Sequence, residues 1–329
     1  MAVDTVVATQ VRVPAWRRIG TMREAGLIAI ILALGIVMSF ASPHFLTFGN
    51  MRAMLMSFSV EGIVVVGMTI LLIVGGIDLA VGSVVCFAMV LAGSLFLAGL
   101  DPWTASLLGI LASSLIGAIM GFFVTVVGLN HFITSLAAMV IVRGLCLVIT
   151  KGTPLSLFTL PASFKAVGQG TFQGIPYVIL IFVAVVILFD FLLRRATAFR
   201  KVFYTGSNEK AALYSGIKTK QVKFWVTVLC STLAGVAGVI YMSRFGAATP
   251  TFGVGMELNI IAAAVIGGAS LNGGSGTILG AILGIALLSV VTSSLILLDV
   301  SVYWQDMIKG CILLAAVSID HFLHKRKAI

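Results

Sequence analysis

A chain of 329 residues that is 60% hydrophobic and only 10% charged, with a mean hydropathy of +1.17, is excluded from the soluble globular class, in which about a quarter of residues are charged. The net charge of +10 does not mark a nucleic-acid binder, because 15 of the 21 Lys and Arg residues fall in three segments. Arg12, Arg17, Arg18 and Arg23 precede the first apolar run. Arg194, Arg195, Arg200, Lys201, Lys210, Lys218, Lys220 and Lys223 share one polar stretch, and Lys325, Arg326 and Lys327 end the chain. Such clustering marks loops held on the cytoplasmic side of a membrane.

Residues 1–24 form a basic N-terminal tail. The apolar run after it is too long for a signal-peptide core and lacks a small-residue cleavage site, so Ala25–Ala41 reads as an uncleaved first span, closed by Ser42-Pro43. Leu46–Phe58 reads as a short amphipathic segment in the interface. Gly62–Gly76, Val81–Leu100, Trp103–Gly128 and Phe132–Thr150 are the second to fifth spans, with Trp103 as an interfacial anchor. Residues 151–176, with three prolines and four glycines, are too broken to span. Tyr177–Leu193 is the sixth span, residues 194–223 are polar and basic, and Phe224–Met242 is the seventh. A Gly/Pro-containing stretch, 244–255, leads to the short run Leu258–Ala269; Thr277–Leu298 and Val302–Phe322 complete the set. The expectation is an all-α polytopic membrane protein with about ten transmembrane helices and both termini cytoplasmic. Its transmembrane domain covers 25–322 and a short tail covers 323–329. Parity then puts the basic clusters inside and loop 151–176 outside.

One phrase occurs twice, as Gly75-Gly76-Ile77-Asp78-Leu79-Ala80-Val81-Gly82-Ser83 and as Gly267-Gly268-Ala269-Ser270-Leu271-Asn272-Gly273-Gly274-Ser275. The pairs Gly75/Gly267, Gly76/Gly268, Leu79/Leu271, Gly82/Gly274 and Ser83/Ser275 share one offset of 192. Each copy ends a short apolar run and opens a long one. The 12 residues of Leu258–Ala269 rise about 18 Å as a helix, against a hydrocarbon core of roughly 30 Å. A helix stopping inside that core must have its freed backbone groups satisfied by protein or by a wet cavity. Gly-interrupted segments in corresponding places point to a transport pathway, although glycines also serve close helix packing. Gly75, Gly76, Asp78, Gly82, Gly267, Gly268, Asn272 and Gly274 are therefore gate or hinge candidates. The charge count puts both copies on the cytoplasmic side in parallel orientation.

Asp78 has a neutral counterpart in Ser270 and suits a helix-start cap; substrate contact and proton coupling are its alternatives. Glu61 and Glu257 stand at the starts of the two short spans. Arg143 lies within the fifth span, and Asp306 and Lys309, three apart, neutralise each other. His44, His131, His321 and His324 have no metal-ligand spacing, so neither a metal site nor a catalytic residue is expected. Cys86, Cys146, Cys230 and Cys311 read as buried small side chains. In Gly206–Ile217, Ser207 or Asn208 can cap a two-turn helix, Glu209 suits its first turn and Gly216 its end. No GxxxxGK[ST] sequence occurs, so the chain has no phosphate-cradling loop of its own.

Glu209-Lys210-Ala211-Ala212 with Gly216-Ile217, Gly75–Ser83, and Ala264-Val265-Ile266-Gly267-Gly268 together resemble the permease subunit of bacterial ABC sugar importers of the ribose/galactose/allose class. The resemblance covers about residues 25–322. It implies monosaccharide import across the bacterial inner membrane, with no cofactor on this chain. The implied partners are a second permease chain, most simply a homodimer, a cytoplasmic ABC ATPase that holds ATP and Mg, and a periplasmic sugar-binding protein. It makes residues 208–216 a coupling helix that docks on the ATPase through Asn208, Glu209, Ala211, Ala212, Leu213 and Gly216. Loops 151–176 and 244–255 would receive the binding protein. Lys210 and Asn272-Gly273 depart from the strict pattern. The competing readings are an ion-driven secondary transporter using Asp78 and a non-transporting membrane scaffold.

Overall fold

The structure, a computed structural model, describes residues 23–327; the N-terminal tail through residue 22 and residues 328–329 lie outside the described residues. The helices are α1 (Arg23–Ala41), α2 (Phe48–Ile73), α3 (Val81–Leu97), α4 (Pro102–Phe122), α5 (His131–Thr150), α6 (Ala162–Gln169) and α7 (Tyr177–Arg195). They continue with α8 (Thr197–Ser207), α9 (Glu209–Tyr214), α10 (Thr219–Phe245), α11 (Met256–Ile266), α12 (Ile278–Leu297) and α13 (Val302–Lys327). A π-helical turn, Phe123–Val127, extends α4. Among the described residues seven helices, α1, α2, α4, α5, α7, α10 and α12, are long and apolar enough to cross a membrane, while α3 and α11 are shorter apolar helices. The protein is a mostly helical, polytopic membrane protein.

Burial sorts the helices into layers. The apolar stretches of α2 and α10 are 78% and 67% buried, whereas those of α1 and α5 are 11% and 22% buried. Outward-facing Leu32 and Ile36 on α1 and Val140 and Ile141 on α5 are side chains suited to lipid. Local caps set the starts. Thr47 Oγ1 accepts from the Asn50 N–H of α2, and Asp101 accepts from the Trp103 and Thr104 N–H groups of α4, where Pro102 opens the helix.

The structure corrects one expected boundary. Leu46–Phe58 and Gly62–Gly76 are not an interfacial segment and a short span but one helix of 26 residues, α2. Nothing between Phe58 and Gly62 breaks a helix, and the polar face of the first half turns towards α12. There the Ser293 hydroxyl donates to Asn50 Oδ1 at 3.2 Å. Glu61 therefore sits in mid-helix and not at a helix start. Only the second copy of the phrase follows a short helix, the 11-residue α11. Cys311 also departs from expectation: it is exposed, while Cys86, Cys146 and Cys230 are buried. The Asp306–Lys309 pair forms, at 3.5 Å.

With 27 residues, α10 is about 40 Å long and joins the two ends of the bundle. At its C-terminal end, the short strands β1 (Leu155–Ser156) and β4 (Ala247–Ala248) pair antiparallel, and β2 (Thr171–Phe172) and β3 (Ile175–Pro176) form a hairpin. There α6 rests on α10: the Gly168 N–H donates to Ser243 Oγ at 2.9 Å, and that hydroxyl donates to the Phe164 carbonyl at 2.8 Å. Loops 151–176 and 244–255 thus build a single cap. In the middle of the bundle α10 packs against α3 and α4 through small residues. A Cβ on Gly238 would run into the Val85 carbonyl and lie 2.9 Å from Ala88 Cβ. Because the obstacle is backbone, Gly238→Val should destabilise the bundle by about 1–3 kcal/mol, read as an earlier thermal loss of monodispersity in detergent. Wild-type thermal behaviour would disprove this packing.

Candidate functional site

Two helices begin inside the bundle. From the end of α2, residues 75–80 return as non-helical chain before α3 starts. From the cap, residues 249–255 enter likewise before α11 starts. The two starts meet: a Cβ on Gly82 would run into the Gly253 carbonyl and lie 2.6 Å from Glu257 Oε2. From this meeting point α3 runs towards the cap, where Gly93 adjoins Leu157 and Ala248, and α11 runs the other way. At 11 residues, α11 rises only about 17 Å, half a hydrocarbon core. Sequence places the two phrases in parallel; the two half-helices themselves run in opposite directions.

Interrupted helices leave carbonyls without helical partners, and α5 supplies the donors for both breaks. On the α2–α3 side, His131 Nδ1 lies 2.7 Å from the Ile77 carbonyl, which also accepts from the Ser135 hydroxyl at 3.1 Å. On the α10–α11 side, Arg143 Nη1 donates to the Phe252 and Pro250 carbonyls at 2.6 and 3.0 Å. The Cys86 thiol donates to the Pro250 carbonyl at 3.2 Å. The other ring nitrogen of His131, Nε2, lies 3.0 Å from Thr227 Oγ1 on α10. Asp78 is fully buried. Its Oδ1 accepts from the Ala80 N–H at 2.7 Å, just before α3, and its Oδ2 has no hydrogen-bond partner. A cleft of about 500 Å³ opens beside this break, lined by Gly75, Gly76, Ile77, His131 and Lys223 among others.

At the end opposite the cap, the two copies of the phrase touch each other and the end of α8. The Gly274 N–H donates to the Ile73 carbonyl at 2.8 Å. A Cβ on Gly206 would run into the same Ile73 carbonyl. A Cβ on Gly273 would lie 2.9 Å from the Gly206 oxygen and 3.2 Å from Gly75 Cα. Three backbones therefore meet without intervening side chains, and Gly75 turns the chain there with φ +87°, a conformation strained for any side chain. Directly after Gly206-Ser207 comes α9. Asn208 caps it by accepting from the Ala211 N–H at 3.0 Å, and Gly216, at φ +81°, ends it. Glu209 pairs with Lys223 of α10 at 2.6 Å. Ala212 is buried against the bundle, whereas Leu213 and Tyr214 are 57% and 88% exposed.

The expected site residues thus divide. Gly75 and Gly274 meet at the three-backbone contact, Gly76 and Asp78 lie by His131, and Gly82 faces Gly253. Gly267 abuts the Gly280 backbone of α12 and Gly268 turns at φ +104°, while Asn272 is exposed and its N–H donates to Ser270 Oγ. Sequence reasoning missed Gly206, Gly273, Tyr214 and the bonding roles of His131, Ser135 and Arg143. An arginine and a histidine on an otherwise apolar span were the available signal.

A polytopic helical bundle with interrupted helices satisfied internally and a short helix displayed at one end is an arrangement suited to a membrane permease. The chain belongs to the family described as the permease component of branched-chain amino acid transport systems, whose profile matches residues 50–317. It is 36% identical over 301 residues to the ribose import permease protein RbsC of Bacillus subtilis (strain 168), covering 92% of this chain and 94% of that protein. It is 35% identical over 323 residues to the ribose import permease protein RbsC of Escherichia coli (strain K12), covering 98% and 99%. To the D-allose transport system permease protein AlsC of Escherichia coli (strain K12) it is 33% identical over 311 residues, covering 94% and 93%. No solved structure gives a significant match.

His131→Ala would strip a donor from the Ile77 carbonyl at the break. It should lower thermal stability by about 1–3 kcal/mol. Unchanged melting of the purified variant would show that the break does not depend on this bond.

Proposed function

We propose that the chain is the membrane permease of an ATP-driven sugar importer of the bacterial inner membrane. It would work as one of two permease chains, with a cytoplasmic ATPase that holds ATP and Mg and a periplasmic binding protein that delivers a monosaccharide. The observation carrying this reading is full-length similarity to ribose and allose import permeases, joined to a displayed α9 whose base abuts both glycine phrases. In this reading α9 is the coupling helix. A push on it from the ATPase reaches Gly206, and through Gly206 the end of α2 and the loop after α11. The helix starts at Gly82 and Gly253 then shift as a gate. Cap and α9 lie at opposite ends of α10, which suits delivery at one end and ATP-driven force at the other. The chain does no covalent chemistry of its own.

Leu213 and Tyr214 are the docking side chains; buried Ala212 holds the helix to the bundle. The unpartnered Oδ2 of Asp78 is what an ion-coupled carrier would use, and such a carrier would transport by itself in a gradient. Family membership favours the ATP-driven reading. The test is uptake into proteoliposomes holding permease, ATPase and binding protein. Tyr214→Asp, on an exposed side chain that leaves the fold intact, should weaken ATPase association by roughly 2 kcal/mol, about thirtyfold, and depress uptake accordingly. Normal association and uptake by this variant would refute the docking role. Gradient-driven uptake by the permease alone, lost in Asp78→Asn, would refute the ATP-driven reading.

A further inference from the structure

A second polar feature lies away from the breaks. Between α2, α10, α11, α12 and α13 there is a cavity of about 330 Å³, at the lower end of the range of roughly 300–1,000 Å³ for small-molecule sites. On α2 it is lined by Asn50, Ser57 and Glu61, and on α12 by Ser289, Thr292 and Ser293. Both sets recur at helical spacing along one face. Arg244, Asn259 and Lys309 complete the polar wall. Arg244 stands in the last turn of α10 and Asn50 in the first turns of α2, so the mouth faces the cap. Glu61, midway along α2, lies deepest.

Such groups are costly within a bundle unless they serve something. Arg244 Nη1 is buried without a hydrogen-bond partner. Among the described residues Glu61 takes part in no ion pair, and Lys309 is balanced by Asp306 at 3.5 Å. The local charges of Glu61, Arg244, Lys309 and Asp306 therefore cancel, which disfavours a charged ligand. What remains is a dense set of donors and acceptors, and hydroxyl groups that both donate and accept can satisfy them together. An anion would leave Glu61 unsatisfied, and an apolar ligand would leave all of these groups so.

We infer that this cavity is a site for one neutral monosaccharide inside the permease, entered from the capped end. Glu61 accepts from ring hydroxyls, and Arg244 and Asn259 donate to them. The inference rests on the sugar-import reading above and adds a place of binding that does not involve either glycine phrase. Its position places the sugar beside α2 and the first turn of α11.

The experiment uses the full transporter with its ATPase and binding protein in proteoliposomes, with labelled D-ribose and D-allose as probes. Glu61→Gln and Asn259→Ala should each lower uptake about tenfold while ATP hydrolysis persists. The milder Ser57→Ala, which guards against a misfolded variant, should lower uptake a few-fold. A binding readout is independent of transport. In a Cys311→Ser background, Ser293→Cys should react with an impermeant maleimide, and D-ribose should slow that reaction. Wild-type uptake by all three variants, labelling indifferent to sugar, or protection by L-leucine in place of sugars would each overturn the site. Sugar protection without any ATP-dependent uptake by the wild type would support the cavity and overturn the import reading.

Discussion

The structure depends on one constraint: a carbonyl released by an interrupted helix inside a membrane must find a donor there. Leaving one unpaired costs about 1–3 kcal/mol in a protein interior and more in lipid. Both interruptions meet this requirement from the same helix, α5, whose His131, Ser135 and Arg143 face the Ile77, Pro250 and Phe252 carbonyls. An outer, largely exposed helix is thereby a strut for two inner ones. Its buried face is defined by polar contacts at its start and its middle, and the rest of its surface is apolar.

The second organising contact is made of backbone alone. Ile73, Gly206 and Gly273-Gly274 approach so closely that no side chain fits. Side chains in a packed interface can change rotamer and absorb small displacements, whereas backbones in contact must move together or separate. The end of α8, the end of α2 and the loop after α11 are consequently one mechanical unit. The helix that follows, α9, is held lightly to the bundle by Ala212 and by a surface ion pair of the kind worth about 0–1 kcal/mol. Its Leu213 and Tyr214 face away from that unit.

Much of this was legible in the sequence. Most apolar helix positions, the short α11, the Asn208 cap and the Gly216 stop follow from hydropathy, length and capping rules, and the first copy of the repeated phrase marked the α2–α3 break. What was not legible were facts of tertiary contact. Asn50 and Ser57 looked like the polar face of an interfacial helix, and Glu61 like a helix start, because nothing local says that Ser293 and Asn259 stand opposite them. Matching phrases suggested equivalent geometry, yet positive φ falls on Gly75 in the first copy and on Gly268, Gly273 and Gly274 in the second. Helix α3 starts within the first phrase, whereas α12 starts after the second. Arg143 looked isolated because its acceptors are more than a hundred residues away.

The continuity of α2 has a thermodynamic consequence. From Glu61 to Ile73 the helix is uninterrupted over about 18 Å, so its polar middle and its glycine-bound end cannot be displaced separately. Whatever distinguishes two positions of that end also distinguishes two states of the cavity wall. Linkage then works in both directions with equal strength. A molecule that prefers one state of the wall shifts the equilibrium at Gly206 by the same free energy with which force at Gly206 alters the hold on that molecule.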